Sequence, residues 1–180
     1  MKNHFIIWAF GPDKPGIVAE ITKFLFEEEC NLEDSSMMRL GSEFGIFMIF
    51  TGPKKILNTK NKERIKKIEF HFRFNIGIKE ISKKEAKSNK IKTNSYIVKV
   101  TGPDTAGIVF KITSILAKFG FNISDLSTHR TNYKGKPGYI LFIEGEIKAG
   151  TFAFIDGELK KMSKNLNIHA DIKPIEVAAL

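Results

Sequence analysis

Residues 11–25 read GPDKPGIVAEITKFL and residues 102–116 read GPDTAGIVFKITSIL, an ungapped match at an offset of 91 residues. The match runs on, because Cys30-Asn31-Leu32-Glu33-Asp34 falls over Phe121-Asn122-Ile123-Ser124-Asp125. A 180-residue chain that repeats itself once at this spacing holds two domains of one fold. The segment between the copies, SKKEAKSNKIKTN, is charged and poor in large apolar residues, as a connecting segment is. The expected division is a first domain over residues 1–82, a linker over 83–94 and a second domain over 95–180.

Hydrophobic periods give the order of elements within each copy. Ile6-Ile7-Trp8-Ala9-Phe10 is a continuous apolar run and reads as a buried strand, with Tyr96–Thr101 as its counterpart. The Gly-Pro-Asp stretch breaks it. Pro15 suits the first turn of a helix, where its missing N–H is no loss. Ile17, Ile21, Phe24 and Leu25 then recur at helical spacing, as do Ile108, Ile112, Ile115, Leu116 and Phe119. Gly120 is placed to end the second of these helices. Strands follow at Leu32–Leu40 and Phe44–Thr51, around a tight Gly41-Ser42 turn. A charged helix at about Ile56–Ile68 and a strand at about Phe70–Ile81 complete the first copy. That last strand is read from the period-two alternation of Phe70, Phe72, Phe74, Ile76 and Ile78. The second copy continues with strands at Ile123–Thr131 and Tyr139–Gly145 around a longer loop at 132–137. A helix at Thr151–Ser163 and a strand at Asn167–Pro174 close it. Each copy is thus β-α-β-β-α-β, an α+β fold of the ferredoxin-like plan: an antiparallel four-stranded sheet with its helices on one face.

Charge and composition exclude several classes of function. The formal net charge is +9, but 14 Lys or Arg against 4 Asp or Glu lie within 54–92, leaving 15 against 16 elsewhere. The excess therefore belongs to a peripheral helix and the linker, where a solvated lysine face is the plainer reading than a nucleic-acid surface. Lysines there also discourage unwanted strand pairing. No apolar run approaches the ~20 residues of a membrane span, and the N-terminus reads as a strand rather than a secretory signal. One cysteine, Cys30, leaves no internal disulfide and no thiolate cluster, which points to the cytoplasm. His4, His71, His129 and His169 are scattered without metal-ligand spacing, so no metal is expected. No P-loop, no nucleophile-base set and no cofactor motif occurs, and no catalytic residue is assigned. Ser35-Ser36 and Ser127-Thr128 lie within strands without a His-Asp set, and Asp34 and Asp125 read as structural.

The pattern G-P-D-x-x-G-I-V-x-x-I-T-x-x-L followed by N-[LI]-x-D, placed after a strand and present twice, resembles the ACT regulatory domain. The tandem arrangement, with Asn31-Leu32-Glu33-Asp34-Ser35-Ser36-Met37, Arg39-Leu40-Gly41 and Glu43-Phe44, is similar to the glycine cleavage system transcriptional repressor family. The resemblance implies small ligands, usually amino acids, bound between domains paired side by side into larger sheets. It implies a homo-oligomer and control exerted through a protein partner such as a transcriptional activator, not through DNA or a membrane. Glycine is the first ligand it suggests. The second copy departs from the pattern, with Thr105-Ala106 where the first has Lys14-Pro15.

The expected ligand-binding set is Gly11, Asp13, Pro15, Gly16, Ile17 and Asn31 in the first copy, and Gly102, Asp104, Gly107, Ile108 and Asn122 in the second. Glycines in the strand-to-helix loop allow unusual backbone angles and close approach of a ligand. The helix N-terminus favours a carboxylate. Asp13 and Asp104 either accept an ammonium group or brace the loop. Asn31 and Asn122 offer an amide donor and acceptor, or only tolerate a left-handed turn after the helix. Two other classes compete: a nucleic-acid-binding module using the lysine-rich 54–92 segment, and a regulatory subunit of a metabolic enzyme.

Overall fold

The computed structural model describes residues 2–87 and 95–175, in two compact units that meet within the chain at about Ser88. The first unit is β1 (Asn3–Pro12), α1 (Ile17–Glu27), β2 (Asn31–Leu40), β3 (Glu43–Gly52), a 3-10 turn (Lys54–Leu57), α2 (Thr59–Phe72), β4 (Asn75–Ile81) and a single helical turn α3 (Lys83–Ala86). The second is β5 (Ser95–Pro103), α4 (Ile108–Lys118), β6 (Asn122–Tyr133), β7 (Lys136–Glu146), α5 (Phe152–Leu166) and β8 (His169–Pro174). Their sheets have the orders β2-β3-β1-β4 and β6-β7-β5-β8, with every pairing antiparallel. Both units therefore take the two-layer α+β plan expected from the repeat.

Strand alternation builds each core. Phe5, Ile7 and Ala9 of β1 and Ile46, Met48 and Phe50 of β3 point to one face, where Ile17, Ile21, Phe24 and Leu25 of α1 and Ile65 and Ile68 of α2 cover them. The second unit does the same with Val98, Val100, Leu141 and Ile143 beneath Ile108, Ile112, Leu116, Ile155 and Leu159. The two helices after the glycine loops end alike. Cys30 N–H donates to Leu25 O and Glu29 N–H to Phe26 O, as Phe121 N–H does to Leu116 O and Gly120 N–H to Ala117 O. This is the Schellman arrangement, with its left-handed residue at Glu29 (φ 59°) in one unit and Gly120 (φ 71°) in the other.

Several boundaries differ from the sequence reading. The helix expected at Ile56–Ile68 begins at Thr59, behind the 3-10 turn and the Asn58 cap, and runs on to Phe72. Phe70 and Phe72 are therefore helical and not in a strand. Asn61, Ile65, Ile68 and Phe72 form a helical stripe on the core, while Phe70 on the far side is 89% exposed. The alternation that suggested a strand at Phe70–Ile81 is real only from Asn75 onward, after left-handed Arg73 ends the helix. The loop expected at 132–137 is mostly strand: β6 and β7 extend to a two-residue turn, Lys134-Gly135, with both φ positive (51° and 78°), a pattern matched to the twist of a hairpin. Pro15 lies ahead of α1 and Gly16 is the cap, so the proline does not sit in the first helical turn. The closing elements run Phe152–Leu166 and His169–Pro174 instead of 151–163 and 167–174. Of the expected linker, Lys83–Ala86 forms α3, capped reciprocally by Ser82 and Glu85; residues 88–94 lie outside the described residues.

Candidate functional site

The loop from β1 to α1 is fastened to the neighbouring hairpin. Asp13 N–H donates to Ser42 O at 2.8 Å, and in the second unit Asp104 N–H donates to Pro137 O at 3.1 Å. Gly16 (φ 94°) and Gly107 (φ 79°) turn the chain into the helices, and no side chain caps either helix. These two positions require glycine for its positive φ. Gly11 and Gly102 are needed for a different reason, which is space. A Cβ on Gly11 would stand 2.6 Å from Phe74 Cδ2, and one on Gly102 would stand 2.6 Å from Ile168 Cγ2. Ile17 and Ile108 are buried in the cores, so what each offers at the loop is its backbone.

The Asp13 carboxylate has a partner. Arg39 Nη1 lies 3.5 Å from Asp13 Oδ2, with the side chains 68% and 39% exposed. Arg39 lies across from Phe44, which in turn pairs with Gly11, so arginine, glycine and loop share one end of the sheet. Arg130 occupies the same place beside Tyr139 and Gly102. The sequence reading did not assign either arginine to the site. The signal was present, since the two match at the same 91-residue offset. Where the second copy lacks Pro15, Thr105 Oγ1 donates to Pro103 O at 3.2 Å and Ile108 N–H donates to Thr105 O at 3.3 Å, so hydrogen bonds hold the loop that proline stiffens in the first copy.

Asn31 and Asn122 are not beside these loops within their own units. Each opens an edge strand at the opposite end of its sheet, paired with Thr51 and Glu146 respectively. Thr51 pairs with His4, seven residues along β1 from Gly11, a separation of about 23 Å at ~3.3 Å per strand residue. Neither asparagine has a positive φ; Glu29 and Gly120 take that role. The Asn-x-x-Asp signature instead marks a β-bulge, between Leu32 and Asp34 in β2 and between Ile123 and Asp125 in β6. Bulges are frequent on edge strands, where they bend and twist the edge. All ten residues of β2 are exposed, and β6 is exposed along most of its length.

One concavity of the first unit lies away from this edge. It is a groove of about 490 Å³ between α1 and α2, lined by Glu20, Glu27, Arg64 and Lys67 around Phe24 and Ile68. Arg64 fills its charge balance by pairing with Glu27 and Glu28 and lies over the Phe24 ring. Cys30 packs its sulfur against Gly52, and burial, with Glu28 beside it, pushes the thiol up to about 11, which suits a packed group and not a nucleophile. Among the described residues no helix is long and apolar enough to cross a membrane.

An ACT domain model matches residues 3–76 and a second ACT domain model matches residues 96–149. The glycine cleavage system transcriptional repressors of Escherichia coli K12 and Shigella flexneri are each 41% identical over 51 residues, a match that covers 28% of this chain and 27% of the repressor. Two crystal structures share the fold over 98% of this chain. One is of an unknown protein from Galdieria sulphuraria (TM-score 0.79, 23% identity, 100% of that chain covered). The other is described as a candidate glycine cleavage system transcriptional repressor (TM-score 0.65, 21% identity, 99% covered). With the sheet order, the paired glycine loops and both domain matches in agreement, the chain belongs to the ACT-domain proteins and carries two such domains in tandem.

Proposed function

We propose that this chain is a non-enzymatic regulator that binds a small amino acid, glycine or one of similar size, where the glycine loop of one ACT domain meets the edge strand of another. The single observation behind this reading is the separation of the recognition groups. Within one unit, Asp13, Arg39 and the uncapped helix N-terminus stand at one end of the exposed edge, and Asn31 stands at the other. Antiparallel pairing of two such edges about a two-fold axis brings the start of one strand beside the end of its mate. Asn31 of one domain then joins the loop of another. The composite holds a carboxylate against backbone N–H groups and Arg39, an ammonium against Asp13, and has an amide for either. A zwitterion of few atoms satisfies all of these.

Regulation follows from such an arrangement. A ligand that bridges two domains stabilises the paired state by its differential affinity for it and by no more. The paired state then presents or withholds a surface for a protein partner. The likeness to the glycine cleavage system transcriptional repressors supports a role in transcription, and the partner proposed here is a transcriptional activator in the cytoplasm. The test is thermal unfolding of the purified chain against single amino acids at millimolar concentration. A ligand specific to the folded state adds about 2.7 kcal/mol at a hundred times its dissociation constant. A shift confined to one or a few small amino acids supports the reading; no shift for any of the twenty overturns it.

A further inference from the structure

Each sheet has a second face, turned away from its helices. In the first unit the strand registers lay this face out in rows across β2, β3, β1 and β4: Met38–Gly45–Phe10–Asn75, then Ser36–Phe47–Trp8–Gly77, then Asp34–Ile49–Ile6–Lys79. Trp8 is 41% exposed, Phe10 53%, Phe47 54% and Met38 60%. Three half-exposed aromatic side chains present roughly 300 Å², which is already the size at which an apolar patch on a monomer tends to have a use. The fold does not demand it. In the second unit, with the same topology, Lys99 stands at the place of Trp8, Thr101 at that of Phe10, and Glu144 at that of Ile49.

We infer that this open face of the first unit is an interface for a second copy of the chain, stacked sheet on sheet. The layout is complementary to itself. A two-fold axis along the strands, between β1 and β3, lays β3 of one copy over β1 of its mate and β2 over β4. Each row then meets itself reversed. Trp8 meets Phe47, and Ile6 meets Ile49. Phe10 meets Gly45, whose missing side chain leaves a hollow with nothing closer than the Met38 side chain at 3.8 Å. At the rim, Asp34 of each copy meets Lys79 of the other, giving two opposite-charge contacts around an apolar centre. Aligned sheets pack in this way at about −30°, with the inner faces interdigitated. With Met38 and the rim added to the aromatics, two copies bury on the order of 1,000 Å², the lower bound for a specific interface. Gly77 fixes the centre, because the Trp8 ring lies where a Cβ would stand, 2.1 Å from Trp8 Cζ2. The proposed ligand site uses the outer backbone edge of β2, whereas this surface uses the side chains that β2 presents on the open face, Asp34, Ser36 and Met38.

The test is the mass of the full chain in solution across concentration, by sedimentation velocity, with Trp8 emission as a second readout, since Trp8 is the only tryptophan. The expected result is reversible self-association with a blue shift of Trp8 emission as copies stack. Trp8→Lys and Phe10→Thr place in the first unit the residue types that the second unit carries at the same register positions; each weakens association at least tenfold with unchanged circular dichroism. Asp34→Lys weakens it by setting like charges opposite each other, and Asp34→Lys with Lys79→Asp restores it. A chain that stays monomeric at 100 micromolar overturns the inference. So does a mass unaffected by both Trp8→Lys and Phe10→Thr, or a double charge reversal as weak as the single one.

Discussion

Replacing Glu29 by glycine should stabilise the first unit, which is unusual for a substitution that removes a side chain. Glu29 is the left-handed residue that closes the Schellman cap of α1, at φ 59°. A residue with a Cβ pays about 1–2 kcal/mol in that conformation. Glycine escapes the strain but loses roughly 0.5–1 kcal/mol of chain entropy on folding. The ion pair forfeited, Lys55 Nζ to Glu29 Oε1 at 3.6 Å between side chains 49% and 78% exposed, contributes little. The net gain is about 0.5–1 kcal/mol. For a unit of this size, with a urea slope of about 1–2 kcal/mol/M, the midpoint rises by about 0.5 M. The assay is selective by construction, because the only tryptophan, Trp8, lies in the first unit. Urea unfolding followed by Trp8 emission reports that unit, while far-ultraviolet circular dichroism reports both. Glu29→Gly should move the emission transition upward. Gly120→Ala, the reciprocal change at φ 71° in the second unit, should lower stability by about 1 kcal/mol or more in the dichroism signal and leave the emission midpoint in place. An emission midpoint that falls in Glu29→Gly would refute the assignment of cap strain to that residue.

Further outcomes follow from close contacts and from burial. Gly77→Ala forces the Trp8 ring off β4, so stability drops by about 1–3 kcal/mol and Trp8 becomes more accessible to a quencher such as acrylamide. Gly11→Ala and Gly102→Ala each set a methyl group against a buried side chain and should each cost about 1–3 kcal/mol, the first seen in Trp8 emission and the second only in circular dichroism. The Cys30 thiol, raised to about 11, should react with iodoacetamide at pH 8 far more slowly than an exposed thiol, and equally fast once the chain is unfolded. Because the folded state holds that proton more tightly than the unfolded state, Cys30 contributes stability that is lost as pH rises from the ordinary thiol range towards about 11. A Cys30→Ser chain should show less of that alkaline loss in urea titrations.

The repeat made the fold legible. An ungapped match of fifteen residues at one offset could only come from two domains of one kind, and the apolar periods within it named the strands and helices around each glycine loop. Reading failed where two periods overlapped. Phe70, Phe72 and Phe74 alternate as a strand does, but Phe72 also continues the stripe of Asn61, Ile65 and Ile68, and core packing settled it as helix. The turn at Lys134-Gly135 was hidden because its positive φ at a lysine has no residue-type signature beyond the glycine after it. Of the candidate site, Asp13 and Gly16 lie in the loop between β1 and α1, with Gly11 at the end of β1. Arg39 and Arg130 match at the repeat offset, but their place at the loop end comes from the strand register, which also moves Asn31 away from it. Contacts between paired strands are set by tertiary pairing, which a linear pattern does not encode.

Asn31 offers the sharpest test of the proposed binding of a small amino acid where the loop of one ACT domain meets the edge strand of another. In its own unit Asn31 stands about 23 Å from the Asp13 loop, too far to touch a ligand held there. Titration calorimetry of the amino acid identified by thermal shift should be made on the unchanged chain, on Asp13→Ala and on Asn31→Ala, each confirmed as folded. Both substitutions should weaken the same binding event by tenfold or more. Undiminished affinity in Asn31→Ala, with Asp13→Ala impaired, would place the whole site within one unit and contradict it.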